Sequence, residues 1–178
     1  MLPPLRGRAS CAPEVIEHPT PAQILEIITR AVFQAGVKWS QIAEHWDAYR
    51  QAFANFDPPQ VAAFDSIDAE RILAQDGVLR VPRKVKATIA NAAALVAIER
   101  EFGGFHAYVR SFTAYAPLAK DMRKRFAFLG DMNVWYVLFR CGEPVPRFEP
   151  WVKTIPGTHP RMREMVELAR ARGISPEI

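Results

Sequence analysis

The sequence predicts an all-α protein. Three observations carry that expectation. Helix-start signals recur along the chain. Apolar residues return behind them at three- and four-residue spacing. No alternating apolar–polar stretch long enough for a strand interrupts them.

The elements follow in order. Thr20-Pro21-Ala22-Gln23 combines an N-cap threonine, a proline at the first helical position and a glutamine that closes a capping box. Ile24, Leu25, Ile28, Val32 and Ala35 then trace one face of a helix that Gly36 ends. A second helix is expected over 38–54, with Trp39, Ile42, Trp46, Tyr49 and Phe53 on its apolar side. Asp57-Pro58-Pro59 opens a short third helix through Phe64, and Ser66 is the expected cap of a fourth. Gly77 and Pro82 bracket a connector before a long helix over 83–102, which Gly103-Gly104 breaks. Helices are then expected over 105–113, from Pro117 through Arg125, and over 132–141. Prolines crowd 144–160, and a polar, loosely packed helix over 160–172 closes the chain. The expected organisation is an irregular segment over 1–19, a helical domain over 20–143 and a proline-rich tail with a final helix over 144–178.

The 178 residues are 49% hydrophobic and 24% charged, the mix of a globular chain with room for a core. That excludes a wholly disordered or fibrous protein. No apolar run approaches the ~20 residues of a membrane helix, and no apolar stretch follows the opening arginines. A cytoplasmic monomer without membrane association is the expectation. The net charge is +4. Residues 80–86 alone carry +4 and residues 120–125 carry +3, so the rest of the chain is net −3. Two short basic segments on an acidic remainder fit either phosphate-backbone binding or solvated helix starts.

Little else signals chemistry. Cys11 and Cys141 cannot make a disulfide framework, and His18, His45, His106 and His159 are scattered, so neither a metal nor a cofactor is expected. Two features stand out. Gln34-Ala35-Gly36-Val37-Lys38-Trp39 is a helix end that turns at once into the next helix, with a tryptophan at the corner. The run from Arg123 to Asn133 is a basic turn that leads through Gly130 into a helix N-terminus, where backbone N–H groups and the helix dipole can hold a phosphate. A glycine there allows close approach of the backbone.

At these residues the sequence resembles a known family. Residues 20–142 are similar to the DNA-3-methyladenine glycosylase I family of the helix-hairpin-helix DNA glycosylase superfamily. The segments that carry the likeness are LEIITRAVFQAGVKW, WDAYRQAFANFDPPQVAAF, RVPRKVKATIANAAAL and KRFAFLGDMNVWYVLFRCG, in that order. Q-A-G-x-x-W and Y-R-x-x-F-x-x-F-D-P are their most specific parts. The resemblance implies a compact helical array of that type, acting on double-stranded DNA. It implies excision of alkylated purines, 3-methyladenine first, by base flipping and hydrolysis of the N-glycosidic bond in base-excision repair. It further implies that Trp39 stacks on the extruded base, Gln34 fills the gap left in the duplex and Val37 wedges beside it. Gly130, Asp131, Met132 and Asn133 would hold the DNA backbone, with Arg83, Lys84, Lys86, Lys124 and Arg125 supplying salt-dependent attraction.

The sequence departs from the family at the pocket. Ala31 stands where the family has its base-reading glutamate, and neither the N-terminal pocket aromatics nor the zinc ligands have counterparts. The nearest carboxylate to a catalytic position is Glu149, the one candidate for a general acid. These departures keep a second reading open: a DNA-binding protein on the same scaffold with its catalysis impaired, binding duplex without base preference or sensing damage.

Overall fold

Thr20 caps the first helix as expected. Its hydroxyl accepts from the Gln23 backbone N–H while the Gln23 side chain accepts from the Thr20 N–H, a complete capping box. The computed structural model describes residues 15–178. Residues 1–14, with Cys11 and most of the expected N-terminal segment, lie outside the described residues. Helices α1 (Pro21–Gln34), α2 (Trp39–Glu44), α3 (Trp46–Ala52), α4 (Pro58–Ala62) and α5 (Ser66–Ala74) are followed by the long α6 (Pro82–Phe102). Then come α7 (Phe105–Arg110), α8 (Tyr115–Arg125), α9 (Asp131–Arg140), α10 (Phe148–Val152) and α11 (Pro160–Ala171). The described residues hold no strand, only a lone parallel bridge between Val145 and Glu177, so the fold is all-α. None of the helices is long and apolar enough to cross a membrane.

Helix α1 is the hub. It packs against α6 on one side and α9 on the other, and Leu25, Ile28, Val32 and Phe33 are fully buried. A helix enclosed on two sides needs apolar residues round most of its circumference, which this stretch supplies.

Local expectations change in four places. The helix expected over 38–54 breaks at His45, whose φ of −112° and ψ of 16° leave the helical region. Trp46 restarts it as α3, and its indole N–H donates to Glu26 at 2.7 Å. Next, Ala54, Asn55 and Phe56 adopt φ of 48°, 52° and 59°, each costing roughly 1–2 kcal/mol for an L-residue. The reversal drives Phe56 into the core, stacked on Trp46 at 5.5 Å between centroids. Third, Asp65 caps α5 in place of Ser66, accepting from the N–H groups of Ile67 and Asp68.

Fourth, the final helix is firmly packed. Met162, Met165 and Val166 of α11 are buried, and Arg170 pairs with both Glu149 and Glu177. Trp135 on α9 stacks on Trp151 of α10 at 5.2 Å, and its indole donates to the Pro146 carbonyl at 3.0 Å. The prolines shape an ordered return of the chain across α9.

Candidate functional site

The corner after α1 is built by three residues. Ala35 leaves the helix with ψ of 117°. Gly36 takes φ of +78°, a left-handed conformation that glycine adopts without strain. Lys38 returns to extended backbone and starts α2 at Trp39. The last carbonyls of α1 have no helical partner, and Lys84 from the first turn of α6 reaches them. Its Nζ donates to the Phe33 and Ala35 carbonyl oxygens at 3.1 and 2.7 Å, and the residue is 8% exposed. Burial pulls its pKa below the ordinary lysine value. Lys84 therefore caps a helix rather than facing a phosphate, because its ammonium group is spent on carbonyls inside the protein.

The corner opens on a cavity of about 360 Å³, within the roughly 300–1,000 Å³ range of small-molecule sites. Ala31, Gln34, Ala35 and Gly36 of the α1 end, Trp39, and Met132, Asn133 and Tyr136 of α9 form most of its wall. Residues 158–162, at the start of α11, close the rest. Trp39 and Tyr136 meet edge to face at 5.8 Å. The Tyr136 hydroxyl accepts from the buried Arg140 guanidinium at 3.1 Å. Among the described residues, no aspartate or glutamate lines the cavity.

Gln34 sits differently from the expectation. It is 5% exposed and part of the cavity wall, so it does not project outward as a plug for a duplex gap. Its Oε1 is buried without a hydrogen-bond partner. Val37, half-buried at the corner, packs against the core.

The second feature is the hairpin between α8 and α9. Asn91, buried in the middle of α6, holds it by both faces of its amide. Oδ1 accepts from the Ala127 N–H at 2.6 Å and Nδ2 donates to the Ala127 carbonyl at 3.1 Å. Phe128 takes φ of +60° and is 39% exposed. Asn133 Nδ2 donates back to its carbonyl at 3.1 Å. Gly130 has an ordinary extended backbone with open space where a Cβ would stand, and the left-handed residue of the hairpin is Phe128. Gly130 and Asp131 are exposed, Met132 and Asn133 half-buried, and α9 begins without a side-chain cap. Its first N–H groups are open to an anion.

The basic residues divide. Arg83 lies over the Phe128 ring at 5.4 Å, which brings the start of α6 to the hairpin. Lys86 and Lys124 are exposed. Arg125 is committed inside the protein: it pairs with Glu101 at 2.9 Å and Asp121 at 2.8 Å, beneath Phe102 and Tyr108. Two carboxylates neutralise the charge expected to attract DNA. Arg123 pairs with Asp131 at 3.0 Å.

Glu149 is likewise elsewhere. It lies on α10, outside the cavity wall, and accepts from both Nη atoms of Arg170 at 2.5 and 2.9 Å. The Arg170 guanidinium holds its carboxyl down to about 2. A group that stays ionised to that pH has no proton to give to a leaving base.

Sequence reasoning missed Tyr136, Arg140, Asn91 and the 158–162 wall. Asn91 carried a signal, a polar residue on the buried side of an apolar helix. The 158–162 segment carried none, because its position depends on how the proline-rich return folds.

Three comparisons place this arrangement among known proteins. The methyladenine glycosylase family model matches residues 16–137. The DNA-3-methyladenine glycosylase of Haemophilus influenzae is 30% identical over 89 residues, 50% of this chain and 48% of that protein, so this chain spans about half its length in the match. DNA-3-methyladenine glycosylase 1 of Escherichia coli is 29% identical over 141 residues, 67% of this chain and 75% of that protein. Among solved structures, a 3-methyladenine DNA glycosylase I crystal structure superposes with a TM-score of 0.60 at 29% identity, covering 74% of this chain and 81% of its own. The Staphylococcus aureus structure of the same name gives 0.62 at 22% identity over 72% and 80%, a likeness of fold.

Proposed function

The chain belongs to the methyladenine glycosylase family, and on that premise we propose that it is a DNA glycosylase removing alkylated purines, 3-methyladenine above all, from double-stranded DNA. The nucleotide is turned out of the helix, the base enters the cavity beside Trp39, and water replaces the base at the sugar.

The observation that carries the reading is the adjoining pair of features at the α1–α2 corner and the α9 N-terminus. An aromatic-walled cavity large enough for a base lies against the same helix whose first turn is open to a phosphate. Trp39 supplies a stacking face, the interaction that every base accepts. Val37 stands at the corner as the apolar wedge that opens a base step. Asp131, Met132 and Asn133, following Gly130, offer N–H groups to the backbone, while the exposed Arg83, Lys86 and Lys124 add attraction. A purine alkylated at N3 already carries positive charge, so it leaves readily once extruded and stacked, and a general acid is dispensable. The protein works as a monomer on the duplex.

A second reading has one observation in its favour: among the described residues no carboxylate lines the cavity, Ala31 standing at its wall. On that reading the chain binds duplex without cleaving. Methylated duplex DNA incubated with the protein separates the two by chromatography of released base. Release of 3-methyladenine that falls sharply in Trp39→Ala supports the glycosylase. Salt-dependent binding without release supports the binding module, and no duplex affinity at low salt eliminates both.

A further inference from the structure

We propose that His159 is the general base of the reaction: its Nδ1 takes the proton of the water that replaces the base at the sugar. This rests on the cavity being the base pocket proposed above, and it concerns the proton that hydrolysis sets free.

The reaction calls for a single proton acceptor. The bond from C1′ to N9 breaks, and its electron pair passes to the purine and cancels the positive charge of a base alkylated at N3. The leaving base therefore needs no proton. Water forms the new bond to C1′ and must shed one, and a side chain held to receive it contributes roughly 10²–10⁴-fold.

His159 lines the cavity and is half-buried between the exposed Thr158 and Pro160. Gly157, at φ of +98°, turns the chain so that the His159 ring comes back to Pro156. There Nε2 lies 3.0 Å from the Pro156 carbonyl oxygen. A carbonyl only accepts, so in the neutral ring Nε2 carries the hydrogen and Nδ1 keeps its lone pair. Among the described residues Nδ1 has no hydrogen-bond partner. The depth of the cavity puts this nitrogen on the correct side. Ala31, Gln34, Tyr136 and Met162 are buried and form the floor, whereas Gly36, Thr158, Pro160 and Arg161 are exposed and form the rim. A base seated on the floor against Trp39 leaves its sugar, still joined to the DNA backbone, at the rim where His159 stands.

The other polar groups of the wall do not serve as a base near neutral pH. Gln34 and Asn133 are amides, Thr158 and Tyr136 are hydroxyls, and Arg161 is a guanidinium that pairs with Glu164 at 3.3 Å. Charged groups on the surrounding elements have their own partners. Arg163 lies over the Phe148 ring at 5.7 Å. Asp131 pairs with Arg123, and Arg140 stands behind Tyr136. On α1, Glu26 bonds the Trp46 indole and Arg30 lies over its ring. Lys38 is exposed at the corner, outside the wall.

Single-turnover release of 3-methyladenine from methylated duplex, measured at half-unit steps from about pH 8 to 5 and corrected for release without protein, tests this. The wild-type rate should fall by up to about tenfold per pH unit once the imidazole takes its proton. His159→Gln should release base about 100-fold more slowly at pH 8, with no dependence on pH across the range. Its affinity for free 3-methyladenine and its melting temperature should stay at the wild-type values, because the floor of the cavity is untouched. His159→Asp puts back a proton acceptor that stays ionised over this range, and should recover about tenfold over His159→Gln with a flat profile. A flat wild-type profile, release by His159→Gln within about threefold of wild type, or a loss of free-base affinity equal to the loss of rate overturns the proposal and leaves the glycosylase reading standing. No release by wild type at any pH overturns both.

Discussion

The Lys84 ammonium group lies 2.7 Å from the Ala35 carbonyl oxygen and 3.1 Å from that of Phe33, joining the first turn of α6 to the end of α1. That link holds the backbone immediately before the corner that carries Val37 and Trp39. Lys84→Met should lower stability by about 1–3 kcal/mol, the cost of stranding buried carbonyls, read by denaturant unfolding. The salt slope of duplex binding should stay at its wild-type value, because the ammonium group contacts no phosphate. A slope reduced by about one would return Lys84 to the DNA interface.

Trp39 is half-buried and meets Tyr136 edge to face, so its removal empties one wall of the cavity with little loss from the core. Trp39→Ala should cut base release roughly 10- to 100-fold, as expected for about 1–3 kcal/mol of base stacking. Single-turnover release from methylated duplex is the measurement, with the circular dichroism spectrum unchanged.

Asn91 clamps Ala127 through both its amide oxygen and its amide nitrogen. Asn91→Leu should unpin the hairpin ahead of Gly130. Duplex affinity should fall more than affinity for free 3-methyladenine, since the cavity draws on α1 and α9 and not on Ala127. Parallel titrations with duplex and free base check this.

Lys124 and Arg125 are neighbours in sequence and opposites in use. Lys124→Glu should weaken duplex binding and lower its salt slope, with stability close to wild type. Arg125→Ala should lower the melting temperature, because Glu101 and Asp121 lose their common partner. Equal effects of the two substitutions on the salt slope would contradict the division.

The Glu149–Arg170 pair has a pH signature. The folded carboxyl titrates at about 2, below its ordinary value of 4.5. A depressed carboxyl contributes stability above the unfolded pKa and loses it as protons are taken up in the folded state. The melting temperature should therefore fall as pH drops from about 4.5 to 2, and Glu149→Gln should fall less across that window. Thermal melts at half-unit pH steps read it.

Local code made most of the helices legible. The Thr20 box, the proline at position 21, Gly103-Gly104 and the three- and four-residue spacing depend only on neighbours a few residues away, and short-range rules decide them. Four segments in a fixed order likewise pointed to the family and to the corner at Trp39. Uses that depend on distant partners were not legible. Lys84 and Lys86 read alike in the chain, yet one is capped onto α1 from 49 residues away and the other faces solvent. Arg125 is neutralised by Glu101 across 24 residues, and the proline-rich return brings 158–162 to the cavity wall. The sequence by itself determined the helices, the family and the aromatic at the corner. Only the tertiary structure decided which charges remain for a partner and which amide is left unpaired, because desolvation and pairing are set by what packs alongside, not by what comes next.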